Sequence, residues 1–177
     1  TGYAYGPAVN VITGTNQPKV IYDISAFDAG GHFLAPVTAQ IADVDLLDGA
    51  GIGELCTTTG LASDALLGKI ALIQRGTCNF TTKVNNAGSL GAVAALIYNN
   101  AANGDNHLTM VGTAVTIPAG FLIRTYGLLI KAEDGQTATI SAESEVEKVA
   151  DVIPARVIST FSSRGPRGFD SALKPEI

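Results

Sequence analysis

The sequence predicts an α+β domain, rich in strand and carrying about two helices, on three observations. A strand–helix–strand pattern runs over residues 69–98. Short β-prone runs punctuated by Gly, Pro and Asn fill most of the remainder, and apolar residues make up 46% of the chain against 15% charged. At 177 residues the chain suits one ordinary domain with flanking sequence around a buried core.

Taken in order, Gly6-Pro7, Gly14, Gln17-Pro18 and Gly30-Gly31 separate apolar runs at 9–12 and 19–24, so short strands and turns are expected there. Residues 35–47 read as one or two strands. The glycine-rich stretch Asp48-Gly49-Ala50-Gly51-Ile52-Gly53 then makes a flexible connection that can carry Cys56 to a partner.

The clearest unit follows. Lys69-Ile70-Ala71-Leu72-Ile73-Gln74 is a buried strand, and Arg75-Gly76-Thr77 turns the chain out of the sheet. Phe80, Val84, Ala87 and Gly91 then form an apolar stripe at helical spacing, with Asn79 or Thr81 placed to cap the first amides and Gly88 and Gly91 to end the helix. Ala92-Val93-Ala94-Ala95-Leu96-Ile97-Tyr98 is a second buried strand. The three elements predict a parallel β-helix-β unit with a right-handed crossover, closed by Asn99-Asn100.

Residues 101–113 are polar and rich in Gly and Asn, the composition of an exposed loop. Val115-Thr116-Ile117-Pro118-Ala119 and Phe121-Leu122-Ile123 are strand-like, 126–133 suits a second short helix, and Asp134-Gly135 turns into a strand over 137–142. Glu143, Glu145, Glu147 and Asp151 read as a solvated acidic connector to the tail.

Composition excludes several function classes. The net charge is −5 and the 11 Lys and Arg are scattered, so neither nucleic acid nor an anionic membrane is an expected partner. Gly, Asn, Asp or Lys breaks every apolar run before the roughly 18 residues a membrane span needs, so a soluble domain is expected. Any secretion signal is expected outside this stretch.

The motifs of catalysis fail one by one. No serine sits in Gly-x-Ser-x-Gly, and His32 and His107 lie in turn-like settings without a motif around them. Asp43, Asp45, Asp48 and Asp105 do not complete a calcium loop, because Leu47 occupies a ligand position and no Glu follows at the required distance. Gly49-x-Gly51-x-Gly53 lacks its third glycine, which is Glu54, so a dinucleotide site is rejected. Neither a cofactor nor a metal is expected.

Cys56 and Cys78 have too few His or acidic neighbours at ligand spacing for zinc. They read as a structural disulfide worth roughly 3 to 4 kcal/mol or, since no basic residue flanks Cys56, less readily as reactive thiols. The sequon Asn79-Phe80-Thr81 makes Asn79 a candidate glycosylation acceptor and, with the cysteine pair, points to an oxidising compartment. Arg75 beside glycine and Phe80 offers a contact edge for a peptide carbonyl or carboxylate; the plain alternative is a turn whose Phe80 packs into the core.

The run Gly68-Lys69-Ile70-Ala71-Leu72-Ile73-Gln74-Arg75-Gly76-Thr77-Cys78-Asn79-Phe80-Thr81-Thr82-Lys83, followed by Asn86-Ala87-Gly88, Gly91-Ala92 and Thr116-Ile117-Pro118-Ala119, resembles the protease-associated (PA) domain family over residues 35–142. The tail Phe161-Ser162-Ser163-Arg164-Gly165-Pro166 and Leu173-Lys174-Pro175-Glu176-Ile177 resembles the segment that re-enters the catalytic domain of a subtilase after such an insert, with Glu176 where many relatives carry Asp.

The resemblance implies a swivelling β/β/α fold with a barrel or sandwich core, and a Cys56–Cys78 bridge. It also implies an organisation of 1–34 as a flank partly of the host scaffold, 35–150 as the protease-associated domain and 151–177 as the returning flank. A secreted subtilisin-like serine endopeptidase is the implied parent, whose triad lies outside this chain, so no catalytic residue is expected here. The implied partners are the host catalytic domain and protein or peptide substrates, met through Arg75, Gly76, Phe80, Asn99, Asn100 and the loop up to residue 113. Two other roles fit the same fold: a peptide-capturing module of sorting-receptor type, and a structural spacer or homodimerisation element.

Overall fold

The computed structural model of the protein describes residues 2–6, 8–11, 19–20, 31–47, 53–108, 110, 112–145 and 147–151. Nine strands and two α-helices lie among them: β1 Gly2–Gly6, β2 Ala8–Val11, β3 Lys19–Val20, β4 Val37–Asp43, β5 Lys69–Gln74, α1 Phe80–Ser89, β6 Ala94–Tyr98, β7 Ala119–Leu122, α2 Arg124–Lys131, β8 Thr137–Ile140 and β9 Glu147–Asp151. Seven strands form one mixed sheet in the order β3-β2-β8-β4-β5-β6-β7, and β1 pairs with β9 as a separate antiparallel ribbon.

The sheet has two halves of different character. From β4 to β7 every pairing is parallel, whereas β8 runs antiparallel to β4 and β2, and β2 runs antiparallel to β3. The predicted β5-α1-β6 unit is present and parallel, with Ile70 opposite Ala94 and Gln74 opposite Tyr98.

Both β5 and β6 are apolar at nearly every position because both faces of the sheet are covered there. Ile70, Leu72, Leu96 and Tyr98 face one core, which Tyr126 and Ile130 of α2 complete. Ala71, Ile73, Ala95 and Ile97 face the other, completed by Val84 and Ala87 of α1. Successive residues thus feed opposite cores, as the pleat requires. Close approach on the α2 side depends on Gly127, since a Cβ there would lie 2.1 Å from the Cβ of Tyr98.

Two readings of the sequence need correction. Residues 115–117 are not strand. Asn85 of α1 takes up the local polar groups instead, accepting from the amide of Thr116 at 3.1 Å and donating to the carbonyl of Ala114 at 3.1 Å, so β7 begins only at Ala119. The acidic connector is also more ordered than expected. Glu143 pairs with His32 at 2.9 Å and accepts from the amide of Phe33 at 3.0 Å, and Glu147–Asp151 is strand β9. Asp48 and the tail 152–177, which carries the subtilase-like motif, lie outside the described residues.

Candidate functional site

The parallel half brings the carboxyl ends of β4, β5, β6 and β7 to one edge, the position where open sheets of this type receive ligands. Arg75 and Gly76 follow β5, Asn99 and Asn100 follow β6, and Arg124 opens α2 after β7. The ladder continues beyond the strands through Arg75 N–H to the carbonyl of Tyr98 at 2.8 Å and Asn99 N–H to the carbonyl of Leu122 at 3.1 Å.

Asn99 is fully buried and organises this edge. Its Oδ1 accepts from Arg75 Nη1 at 3.1 Å and from the amide of Asn100 at 3.1 Å, its Nδ2 donates to the carbonyl of Asn106 at 3.0 Å, and its own carbonyl accepts from Arg124 Nη1 at 3.4 Å. Two half-buried guanidinium groups are therefore held by one residue. Among the described residues neither has a carboxylate within ion-pair distance. Arg guanidinium presents a fork of donors suited to carbonyl and carboxylate groups, so the edge can take peptide oxygen atoms.

Asn100 turns the following loop by accepting from the amide and Nδ2 of Asn103, at 3.2 and 2.8 Å. Further along, Asp105 reaches α2, accepting from the amide of Thr125 at 2.8 Å and its hydroxyl at 2.7 Å. Ile123 at the N-cap position has no side-chain oxygen, so the loop supplies the cap that the helix lacks.

The turn after β5 is fastened differently. Cys56 and Cys78 form a disulfide, as the family resemblance implied. Glu54 accepts from the amide of Thr77 at 2.8 Å and from its hydroxyl at 2.9 Å, and a Cβ on Gly76 would lie 1.8 Å from the Glu54 carboxyl carbon. A side chain at 76 would push that carboxylate, the far end of a flexible side chain, off the turn. Burial alone would raise the Glu54 carboxyl, but the Thr77 hydrogen bonds and the charge of Lys83 hold it below its ordinary range. Asn79 is exposed and caps α1, its Oδ1 accepting from the amide of Thr82 at 2.8 Å, while Phe80 is half-buried against the α1-side core.

Lys83 was not foreseen. It is completely buried on the inner face of α1; its Nζ donates to the carbonyl of Glu54 at 2.5 Å and lies 3.8 Å from Cys56 Sγ. Burial pushes its ammonium down to about 8, with the Glu54 carboxylate opposing the shift. Its spacing was a usable signal, since 83 stands three after Phe80 and four before Ala87 on the apolar stripe. Arg124 carried a signal too, a base directly after an apolar strand, as Arg75 is.

Of the aspartates weighed for calcium, those among the described residues, Asp43, Asp45 and Asp105, are otherwise engaged. Lys131 pairs with Asp43 at 3.0 Å and Asp45 at 2.7 Å, and these hydrogen bonds outweigh burial to raise the Lys131 ammonium. His107 is exposed in the β6–β7 loop.

The PA domain family model matches residues 37–130. C5a peptidase of Streptococcus pyogenes is 39% identical over 110 residues, 62% of this chain and 9% of the peptidase. Subtilisin-like protease SBT1.7 of Arabidopsis thaliana is 34% identical over 131 residues, 71% of this chain and 16% of that protein. Among solved structures, an aminopeptidase from Aneurinibacillus sp. strain AM-1 superposes with a TM-score of 0.54 at 29% identity, covering 84% of this chain and 34% of the aminopeptidase. The chain thus spans only a small part of each of these peptidases.

Proposed function

Because the chain belongs to the PA domain family, we propose that it is a non-catalytic module of a larger secreted subtilisin-like serine endopeptidase, which offers the carboxyl edge of β5–β7 to peptide or protein substrates of that host. Its relatives are peptidases, and the Cys56–Cys78 disulfide suits an oxidising compartment. One observation carries the reading: Arg75 and Arg124 are held on Asn99 at the strand ends with no carboxylate partner among the described residues. Peptide carbonyl and carboxylate oxygens fit that vacancy of acceptors.

Titration of the chain with a mixed peptide library, followed by amide chemical shifts beside a hydrolysis control, tests it. Shifts clustered on 75–80 and 99–113, and lost in Arg75→Gln, are the expected result. An absence of shifts would leave a steric lid, spacer or dimerisation element, and hydrolysis by the chain would overturn the non-catalytic reading.

A second host is favoured by the solved aminopeptidase of 29% identity. The sequence following residue 177 separates the two, since a subtilase would continue to a nucleophilic serine in a Gly-Thr-Ser setting.

A further inference from the structure

The chain enters and leaves the large sheet at the end opposite Arg75 and Asn99. β2 and β4 run the same way, each antiparallel to β8, with Val9 and Val37 both opposite Ile140. Ala8, which opens β2, and Ile140, which closes β8, therefore stand at the amino ends of the parallel strands. Both lead into the ribbon: a single residue separates β2 from β1, and residues 141–146 join β8 to β9. The ribbon stays at that end, since β9 touches β3 and β3 is paired to Ala8 and Val9. Gly2 lies opposite Asp151, so the two connections to any longer chain run side by side.

Three of the large apolar side chains exposed among the described residues lie at this same end: Leu34 before β4, 81% exposed, Leu67 before β5, 67% exposed, and Val93 before β6, 39% exposed. A lone exposed leucine is ordinary, but these precede three neighbouring strands in turn. Their backbones are fastened. Phe33, next to Leu34, exchanges hydrogen bonds of 3.0 Å with Glu143, Gly68 donates to the carbonyl of Gly91 at 2.9 Å, and Val93 donates to the carbonyl of Lys69 at 2.9 Å.

We propose that this amino end is the face on which the domain docks against the rest of a longer peptidase, with Leu34, Leu67 and Val93 meeting an apolar surface of the host. The proposal rests on the reading of the chain as a module of such a peptidase, and the choice of face rests on the path of the chain. Two adjacent connections hold the host at high effective concentration beside this end of the sheet. Docking there removes aliphatic surface from water and leaves the carboxyl edge open to a peptide.

Single-cysteine labelling tests this, because both native cysteines are joined in the disulfide. Leu67→Cys, Val93→Cys and, for comparison, Leu128→Cys on the exposed side of α2 are made in this chain and in the longer protein, and labelling by a maleimide is followed by peptide mass. In the longer protein positions 67 and 93 should label at least about tenfold more slowly than in the chain alone, the protection given when the undocked state is a tenth or less of the population. Position 128 should label alike in both. Equal rates at 67 and 93 in the two proteins would overturn the proposal, as would protection at 128 in their place. Protection of 67 in the chain alone that grows with its concentration would overturn it too, because a second copy would then be the occupant. Peptidase activity of the longer protein, read on the same sample, reports on the host separately: activity without protection removes the docking face alone, and protection without activity removes the peptidase reading while the face stands.

Discussion

The turn after β5 and the segment after β6 lie side by side on one sheet edge, yet they are secured by different chemistry. The first is fixed by a disulfide, by the Glu54 carboxylate on the amide and hydroxyl of Thr77, and by a buried lysine beneath it. The second relies on amide side chains, Asn99 and Asn100, and on Asp105 at the start of α2. One edge is thus a rigid base and the other is an exposed loop pinned at a few polar points. The two meet at Arg75, whose guanidinium rises from the first segment and is held by Asn99 of the second.

Removing the covalent fastener should have the largest effect. Cys56→Ser with Cys78→Ser releases a loop with a sequence separation of 22. By the chain-entropy relation this costs about 3 kcal/mol, readable as a lower urea midpoint. Hydrogen exchange should quicken at 54–60 and 75–79 while 99–106 changes little. Equal quickening in both segments would mean that the two turns are one unit.

Asn99→Ala attacks the other side. It strips partners from Arg75, the amide of Asn100 and the carbonyl of Asn106 within a buried site, a loss of about 2 kcal/mol. Exchange should quicken at 100–106, with the disulfide turn held. Peptide-induced shifts at Arg75 should fall in the same variant, because its guanidinium loses the acceptor that aims it.

The extent to which this edge was legible in the sequence follows the same division. Local signals found what local chemistry decides: the two-faced apolar runs of β5 and β6, the Asn79 cap, and the polar composition after Asn100. Pairings made over long separations left little trace. Nothing in Gly2–Gly6 or Glu147–Asp151 announces a ribbon, because each strand finds its partner some 145 residues away (Gly2 opposite Asp151). Glu54 looked like the failure of a glycine motif and is instead the group that explains Gly76. Lys83 sat on the helical stripe at the correct interval, and its charge hid it, since a lysine on an apolar face reads as an interruption.

Lys83 also sharpens the comparison through pH. Its ammonium titrates near 8 when folded and about 10.4 when unfolded, so the unfolded chain holds the proton more tightly. The cost of burying the charge is fully present below the folded value and is relieved as pH rises towards the unfolded one. Lys83→Met has no such cost. Its stability advantage over the parent chain should therefore shrink by about 1.5 kcal/mol between about pH 8 and pH 9.5. A constant difference across that interval would show that the folded ammonium titrates at its unfolded value, as a solvated lysine does.

The smallest effect distinguishes the two helices that begin at this edge. α1 carries its own cap, Asn79, whereas the cap of α2 comes from Asp105 in the neighbouring loop. Each truncation to alanine should cost about 1 kcal/mol. Their reach should differ: Asn79→Ala loosens only the first turn of α1, whereas Asp105→Ala loosens both the start of α2 and the loop that supplied the carboxylate. A glycan on Nδ2 of Asn79 would leave Oδ1 free to accept from Thr82, so glycosylated chain should keep the stability that Asn79→Ala loses. Exchange rates at Thr82 and Thr125 read the two caps separately. If Asp105→Ala left 100–106 unchanged, the loop would be shaped by Asn99 and Asn100 alone, and α2 would be its beneficiary without holding it in return.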